Sequence, residues 1–303
     1  MNRTHSPSEA EAIQNELNPP FEVLRPQELK LPFVFNSPHS GRVYPKTFLD
    51  ASKLDSMTLR RSEDSYVEEL FGFVAELGAP LLYAHFPRSY LDVNREPYEL
   101  DPILFREGLP HYANTQSVRV VGGLGTIARI VSEADEIYRE PLTIGAALER
   151  INRLYTPYHA TLKQLLAEAQ AQFGVAVLID CHSMPSSPMA EQGVGRPDFV
   201  LGDRFGTSCS PDLIGLASGQ LKSLGHLVAL NKPYAGGFIT EHYGRPHEGI
   251  HALQVEVNRA LYMNEASFEK SAAFDRLKAD LERMVKAIAI GTSRLAIPRA
   301  AAE

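Results

Sequence analysis

Two histidines stand directly after short apolar runs of the sequence. His39 follows the run that ends at Phe35, and His182 follows the run that ends at Ile179. Ligands of α/β proteins bind at the carboxyl ends of strands. Histidine is the commonest ligand of catalytic zinc, which takes two or three histidine or carboxylate groups and keeps one position open for water. A lone histidine at such a place is ordinarily structural or exposed, but two of them predict a zinc site.

A carboxylate is expected as the third protein ligand. Glu63 and Asp64 are adjacent at the start of a predicted helix, between the two histidines in the chain. Their side chains should point about 100° apart on such a helix, so both are not expected to reach one ion. We favour Asp64 over Glu63, although acidic residues at a helix start also interact favourably with the helix dipole in the absence of any metal.

The residues around His182 acquire roles from the alternation of side chains along a strand. Asp180 and His182 share one face, whereas Cys181 points to the other and is a poor ligand candidate. Asp180 is therefore a candidate acceptor that fixes the tautomer of a metal-bound imidazole.

A late apolar strand carries one carboxylate, Glu256, on the same face as Gln254 and Asn258. Burying an uncompensated carboxylate is costly, so Glu256 needs a function or a partner. One interpretation is a general base that takes a proton from zinc-bound water. The other is a salt bridge to Arg259 or Arg245.

Arginine is the candidate residue type for holding a substrate carboxylate, because guanidinium offers two parallel hydrogen bonds where lysine cannot. The candidates are Arg88, Arg95, Arg129 and Arg245. Arg95 is favoured because it closes the polar block Asp92-Val93-Asn94-Arg95, which follows a predicted strand.

The glycine-rich segment 121–126 does not indicate phosphate binding. It lacks the Lys-Ser/Thr pair of a phosphate-binding loop and the complete dinucleotide fingerprint. We expect a flexible flap or a turn there. The sequence also lacks the Gly-x-Ser-x-Gly element of serine hydrolases.

The elements expected around these residues alternate between strands and helices. Strands are predicted over residues 31–35, 80–86, 175–179 and 252–257, and helices over 64–77, 144–173, 211–224 and 267–290, with Pro157 as the expected position of any break in the second helix. This alternation predicts an α/β sandwich around a mainly parallel or mixed sheet. Residues 31–295 are expected to form a single domain, after a loose N-terminal arm over residues 1–30 that packs late or on a neighbouring subunit.

Composition narrows the class of protein. The chain has 303 residues, 44% of them hydrophobic, which is enough for a buried core. A net charge of −7 argues against a nucleic-acid partner. The chain has two cysteines and neither a membrane-length apolar run nor a signal-peptide pattern, so we expect a cytoplasmic protein that binds no membrane. The oligomeric state is left open between monomer and homodimer.

Four sequence blocks together resemble the N-formylglutamate amidohydrolase family. They are Ser-Pro-His-Ser-Gly at 37–41, the arginine and Asp-x-Asn-Arg block at 87–95, Asp-x-His-Ser at 180–183 and His-Ala-x-Gln-x-Glu at 251–256. The resemblance spans roughly residues 30–265. Two departures are the Asp64-Ser65-Tyr66 segment, where the family often has Asp-Trp-His, and Pro87, where it has Ser or Thr. They bear on the acyl group and the amino acid rather than on the metal chemistry.

The family is in turn similar to zinc carboxypeptidases and aspartoacylases, so the resemblance implies a three-layer, zinc-carboxypeptidase-like (phosphorylase/hydrolase-like) fold. The residue roles it implies are metal binding by His39, Asp64 and His182, substrate binding by Arg88, Asn94 and Arg95, and general-base catalysis by Glu256.

The activity implied by the resemblance is zinc-dependent hydrolysis of a small-molecule substrate, N-formyl-L-glutamate, to formate and L-glutamate, as in histidine degradation. Two alternatives stay open. One is another N-acyl amino acid amidohydrolase or a small carboxypeptidase on the same scaffold. The other is a non-catalytic carboxylate-binding protein.

Overall fold

The computed structural model describes residues 7–131, 135–186 and 197–291. Its strands are β1 (Phe21–Leu24), β2 (Phe33–Ser37), β3 (Leu81–Ala84), β4 (Ile130–Val131), β5 (Asp135–Glu136), β6 (Ala176–Met184), β7 (Phe199–Gly202), β8 (Val228–Leu230) and β9 (Ile250–Asn258). Its helices are α1 (Glu9–Glu16), α2 (Lys46–Ala51), α3 (Ser56–Arg60), α4 (Val67–Phe71), α5 (Val118–Val121), α6 (Ile144–Arg150), α7 (Thr156–Phe173), α8 (Pro211–Ser223), α9 (Phe238–Tyr243) and α10 (Phe274–Gly291). Among the described residues, no helix combines the length and apolar character that crossing a membrane requires.

Seven strands form one mostly parallel sheet in the order β1-β3-β2-β6-β9-β7-β8. β6 pairs in parallel with β2 and with β9, whereas β7 runs antiparallel to β9 and parallel to β8. Every residue of β6 is buried, as is all of β9 after its first residue. Strands covered on both faces read as continuous apolar runs. The α/β fold and the mixed sheet predicted from the alternating elements are confirmed.

β6 is longer than its apolar run predicts. The run ends at Ile179, but the strand continues through Asp180 and His182 to Met184. It pairs with β9 along its whole length, so the backbone of the polar part stays in the ladder. The polar residues at the end of the apolar run therefore belong to β6 and do not mark the point where its pairing with β9 stops.

One compact unit comprises residues 23–37, 64–82 and the described chain from residue 162 onward. In it, α10 packs on α8 and α4. The helix buries Leu277, Leu281, Met284, Val285 and Ile288, the spacing of one helical face. α10 begins at Phe274 and not at the predicted residue 267, because the Asn264 side chain accepts the N–H groups of Ala266 and Ser267 in a turn.

The other compact unit comprises residues 38–63, 83–161 and the described chain up to residue 22. Within the predicted loose arm it contains α1, which Ser8 and Glu11 cap reciprocally. α1 buries Ile13, and its Glu9 accepts a hydrogen bond from the buried Arg150. Because these partners lie far along the chain, the polar N-terminal sequence gives no local indication of a packed helix. The single domain over residues 31–295 stays a prediction.

The helix predicted over 144–173 continues through Pro157 without a break. Residues 151–155 form a π-helical segment between α6 and α7, in which the N–H of Thr156 donates to the carbonyl of Ile151, five residues earlier. Proline has no N–H to donate, so a change of hydrogen-bond spacing just before it keeps the helix continuous. The helix predicted over 64–77 is shorter, because Tyr66 adopts a left-handed φ of 67° immediately before α4.

Candidate metal centre

His39, Asp64 and His182 each bring one ligand atom to a cluster in which all these atoms lie within 4.8 Å of one another. All three residues are buried. His39 follows β2 by two residues, His182 lies on the adjacent β6, and Asp64 lies in the turn before α4. The structure thus brings together two histidines that are more than a hundred residues apart in the sequence.

The ring of His182 lies between two carboxylates. Its Nδ1 is 3.0 Å from Oδ2 of Asp64 and its Nε2 is 3.0 Å from Oδ2 of Asp180. Asp180 itself accepts a hydrogen bond from the amide of Asn36 at 2.7 Å. Burial lowers the pKa of His182, but Asp180, Asp64 and Glu256 outweigh burial and raise this pKa well above its ordinary value. The surroundings favour positive charge at this point, which is the electrostatic condition for holding a cation.

His39 also has a buried carboxylate partner, Asp92. Its Nε2 is 2.7 Å from Oδ1 of Asp92, so Nδ1 is the nitrogen that His39 can offer to an ion. Asp92 also accepts the N–H of Asn94 at 2.8 Å and Nη2 of Arg88 at 2.8 Å. Burial raises the pKa of Asp92, but Arg95, His39 and Arg88 outweigh burial and hold this pKa well below its ordinary value. The local sequence pattern does not assign this role to Asp92, although its position in the polar block is a signal.

Only one oxygen of Asp64 is turned toward His182. The other, Oδ1, accepts from the hydroxyl of Ser183 at 3.1 Å and from Nη2 of Arg259 at 3.2 Å. Arg259 also donates from Nε to Ser183 at 3.0 Å. The sequence offers Arg259 as a salt-bridge partner of Glu256, whereas in the structure these hydrogen bonds join its guanidinium to Asp64 and Ser183.

Glu63 has a different environment from its neighbour. It accepts hydrogen bonds from the hydroxyl of Tyr44 at 2.7 Å and from Nε of Arg60 at 3.3 Å. The structure therefore places Asp64 in the ligand cluster and gives Glu63 tyrosine and arginine partners.

Glu256 lies on β9 directly opposite His182 in the parallel register of β6 and β9. Residues paired in this way project from the same face of a sheet. Glu256 is buried, and its Oε1 accepts a hydrogen bond from the amide of Gln254 at 2.9 Å.

The substrate-binding candidates Arg88, Asn94 and Arg95 surround Asp92. Arg95 donates from Nε to the carbonyl of Leu124 and from Nη1 to that of Asn94, both at 2.7 Å, and its burial lowers the pKa of its guanidinium to about 10. The Arg88 side chain is 25% exposed and that of Arg95 only 11%, so Arg88 is the more accessible of the two. The further candidate Arg129 is bound by Asp101 at 2.7 Å.

The glycine-rich segment is a packed turn that follows α5. The carbonyl of Leu124 receives Arg95, and the carbonyl of Thr126 receives the N–H of Asp92 at 2.8 Å. A Cβ on Gly125 would lie 2.3 Å from the carbonyl oxygen of Glu99, so only glycine fits there. Of the two alternatives, a flap or a turn, the structure has the turn, and it supports the polar block.

A mixed, mostly parallel sheet with two histidines and an aspartate gathered beside its central strands defines an α/β protein with a candidate metal centre. The chain belongs to the N-formylglutamate amidohydrolase family, whose sequence model matches residues 31–263.

Proteins named N-formylglutamate deformylase or N-formylglutamate amidohydrolase are similar to this chain over most of its length. An N-formylglutamate deformylase of Pseudomonas aeruginosa is 31% identical over 271 residues, which cover 88% of this chain and 93% of that protein. The deformylase of Pseudomonas putida is 31% identical over 248 residues, covering 80% and 86%. The crystal structure of N-formylglutamate amidohydrolase from Ralstonia eutropha JMP134 superimposes with a TM-score of 0.85 at 36% identity, covering 91% of this chain and 99% of that one.

Proposed function

We propose that this protein is a zinc-dependent amidohydrolase that converts N-formyl-L-glutamate and water to formate and L-glutamate. The observation that carries the proposal is the cluster of His39, Asp64 and His182, with Glu256 beside His182 on the neighbouring strand. The substrate follows from the family and from relatives that are named for N-formylglutamate.

The residues present fit a catalytic zinc ion. Two imidazoles and one carboxylate form a three-ligand set of the kind that leaves a fourth position for water. Asp92 and Asp180 contact the Nε2 atoms of His39 and His182, as carboxylates commonly do behind metal-binding histidines. When bound, zinc supplies Lewis-acid chemistry, because it lowers the pKa of a coordinated water molecule and polarises the carbonyl oxygen of the substrate.

Glu256 moves the proton in the proposed reaction. Its carboxylate accepts a proton from the attacking water as the oxygen–carbon bond forms at the formyl carbon. The same carboxyl group then delivers that proton to the amide nitrogen as the carbon–nitrogen bond breaks. The acyl product forms as formic acid and gives up its remaining proton, so formate and L-glutamate leave and Glu256 returns to its charged form.

The arginine and asparagine residues around Asp92 hold the negative charge of the substrate. Arg88 offers the more exposed guanidinium, while Arg95 and Asn94 complete the polar surroundings. Guanidinium binds carboxylates through directed, charge-assisted hydrogen bonds, so these residues favour an N-acyl compound that carries a carboxylate over one that does not.

The finer fold assignment is also a proposal. We infer a three-layer sandwich of the zinc-carboxypeptidase type. Its support is the central parallel run β2-β6-β9, with the candidate ligands near the carboxyl ends of β2 and β6. An experimental structure compared with zinc carboxypeptidases would test it.

The proposed function is tested by measuring metal content and hydrolysis on the same purified sample. The panel contains N-formyl-L-glutamate, N-formyl-L-aspartate, N-acetyl-L-glutamate and a dipeptide with a carboxyl-terminal glutamate. We expect stoichiometric zinc and the highest kcat/KM for N-formyl-L-glutamate. Preference for the acetylated compound or the dipeptide would favour another amidohydrolase or a carboxypeptidase, and ligand binding without metal or turnover would favour a binding protein.

A further inference from the structure

Gln254 and Glu256 project from the same face of β9, because they are two residues apart in one strand. Both are buried, with 4% and 7% of their surfaces exposed. Nε2 of Gln254 donates to Oε1 of Glu256 at 2.9 Å, and Oε1 of Gln254 accepts the backbone N–H of Gly237 at 2.7 Å. Two hydrogen bonds thus connect the segment that precedes α9 to the carboxylate of Glu256.

The orientation of the Gln254 amide follows from the chemistry of its two partners. A backbone N–H can only donate, so the atom facing Gly237 has to be the amide oxygen. The amide nitrogen then has to face Glu256, whose carboxylate can only accept when it is ionised. The opposite orientation would leave a buried donor facing a donor and an acceptor facing an acceptor, which is costly.

We propose that Gln254 is a positioning residue that holds the carboxylate of Glu256 in the orientation required for proton transfer. The inference rests on the proposed function, in which Glu256 is the base. A hydrogen bond to a charged carboxylate is strong where water is excluded, and it restricts rotation of the carboxylate about its terminal bond. The backbone N–H of Gly237 orients the Gln254 amide, and this amide in turn orients the Glu256 carboxylate.

A purely structural role for Gln254 makes a different prediction. If the side chain only joined the Gly237 segment to β9, its loss would reduce stability and leave the rate per folded molecule unchanged. A positioning role instead lowers kcat while substrate and metal still bind.

The test replaces Gln254 by methionine, which has a similar length and cannot form either hydrogen bond. We expect Gln254→Met to lower kcat about 10- to 100-fold, because misplacing a catalytic group loses part of its general-base contribution, with KM changed by less than about threefold. Zinc content should stay stoichiometric. In a Glu256→Gln background the same replacement should change kcat by less than about twofold, because residues that act as one unit are not additive.

A second variant changes the contact between residue 254 and Glu256 while keeping the hydrogen bond to Gly237. Gln254→Glu keeps an oxygen for the N–H of Gly237, but it replaces the amide donor to Glu256 by a second carboxyl group that repels the Glu256 carboxylate, and we expect a loss of kcat at least as large as in Gln254→Met. The matched control is Ser208→Ala, which removes a different buried hydrogen bond to β9, from Ser208 to the carbonyl of Ala252 at 2.8 Å. This control should lower the unfolding midpoint and leave kcat within about twofold of the wild type.

Wild-type kcat in both Gln254 variants would overturn the inference, as would an equal loss of kcat in the presence and absence of the Glu256 carboxylate. Failure of the proposed function has a different signature. In that case Glu256→Gln itself would keep its turnover, or the wild-type protein would not hydrolyse N-formyl-L-glutamate at all.

Discussion

Each histidine of the candidate centre has a carboxylate at its Nε2 atom, Asp92 for His39 and Asp180 for His182. Such partners fix the ring orientation and the tautomer, and they make the other nitrogen a stronger ligand. Asp92 has a second task, because its other oxygen accepts from Arg88. One buried carboxylate therefore joins a proposed metal ligand to a proposed substrate-binding residue.

Asp92→Asn tests this connection. The variant keeps the shape of the side chain but loses the charge that stabilises His39, Arg88 and Arg95. We expect zinc affinity to fall about 10- to 100-fold, as is typical when the partner of a metal-binding histidine is lost, and KM to rise. Equilibrium dialysis and steady-state kinetics measure the two effects. Asp101→Asn is the control, since Asp101 pairs with Arg129 outside the cluster, and unchanged zinc affinity and KM in Asp92→Asn would contradict the assignment.

The choice between Asp64 and Glu63 is tested by the two alanine variants. Asp64→Ala should lose stoichiometric zinc, because the oxygen that faces His182 is removed. Glu63→Ala should retain zinc and lose only stability, because it removes the partner of Tyr44 and Arg60. Metal analysis after gel filtration distinguishes them, and the reverse result would show that Glu63 is the ligand.

Glu256→Gln tests the proposed base. The variant keeps the size of the side chain and removes its basic group. General-base catalysis is typically worth ~10²–10⁴ in rate, so kcat should fall by at least about 10²-fold while zinc content and the unfolding midpoint stay close to wild type. Near-normal turnover would show that another group takes the proton.

At the scale of elements, strand register and one turn position the functional groups. The pairing of β6 with β9 sets His182 opposite Glu256 and Asp180 opposite Gln254. The turn after α5 closes over the polar block and supplies the carbonyl that receives Arg95. Both features depend on backbone geometry, so substitutions that alter the backbone should affect function from a distance.

A pair of Gly→Ala variants tests the turn. At Gly125 an added Cβ would meet the carbonyl of Glu99 at 2.3 Å, so the turn must shift. We expect Gly125→Ala to reduce the free energy of unfolding by about 1–3 kcal/mol and to raise KM, since Arg95 loses its backbone support.

The control is Gly215→Ala, on α8, where nothing lies within 4 Å of the added atom. It should stabilise the protein by about 0.5–1 kcal/mol, the helix propensity difference, and leave KM unchanged. Denaturant unfolding and substrate kinetics measure both variants. A Gly125→Ala protein with wild-type stability and KM would show that the turn adapts without consequence.

At the scale of the whole molecule, metal and fold should be coupled. An ion held by His39, Asp64 and His182 joins ligands from distant parts of the chain, and a species that binds only the folded state stabilises it by mass action. We expect chelation to abolish turnover and lower the unfolding midpoint, and added zinc to restore both. His182→Ala should show no zinc-dependent change in midpoint. Full turnover after complete metal removal would contradict a metal-dependent mechanism.

Much of the fold and of the candidate site follows from local patterns. Apolar runs predicted β2, β3, β6 and β9 to within a few residues, apart from the polar end of β6, and helical periodicity predicted α8 closely. These patterns succeed because strand alternation and helical spacing involve residues only two to four apart in the chain. The helix α1 and the strands β1, β7 and β8 escaped them, because these elements are short and are stabilised by distant partners.

The sequence also predicted the residue types at the candidate centre, since two histidines after apolar runs and an acidic pair at a predicted helix start indicate a zinc site. Local patterns favoured Asp64 over Glu63, but they could not show that Glu63 binds Tyr44 and Arg60, find Asp92 behind His39, or orient Gln254 toward Glu256. Each of these depends on a side chain or backbone group that reaches its partner across a turn or the sheet, often from many residues away. Such contacts are fixed by strand register and by the packing of turns, which the sequence specifies only through the complete fold.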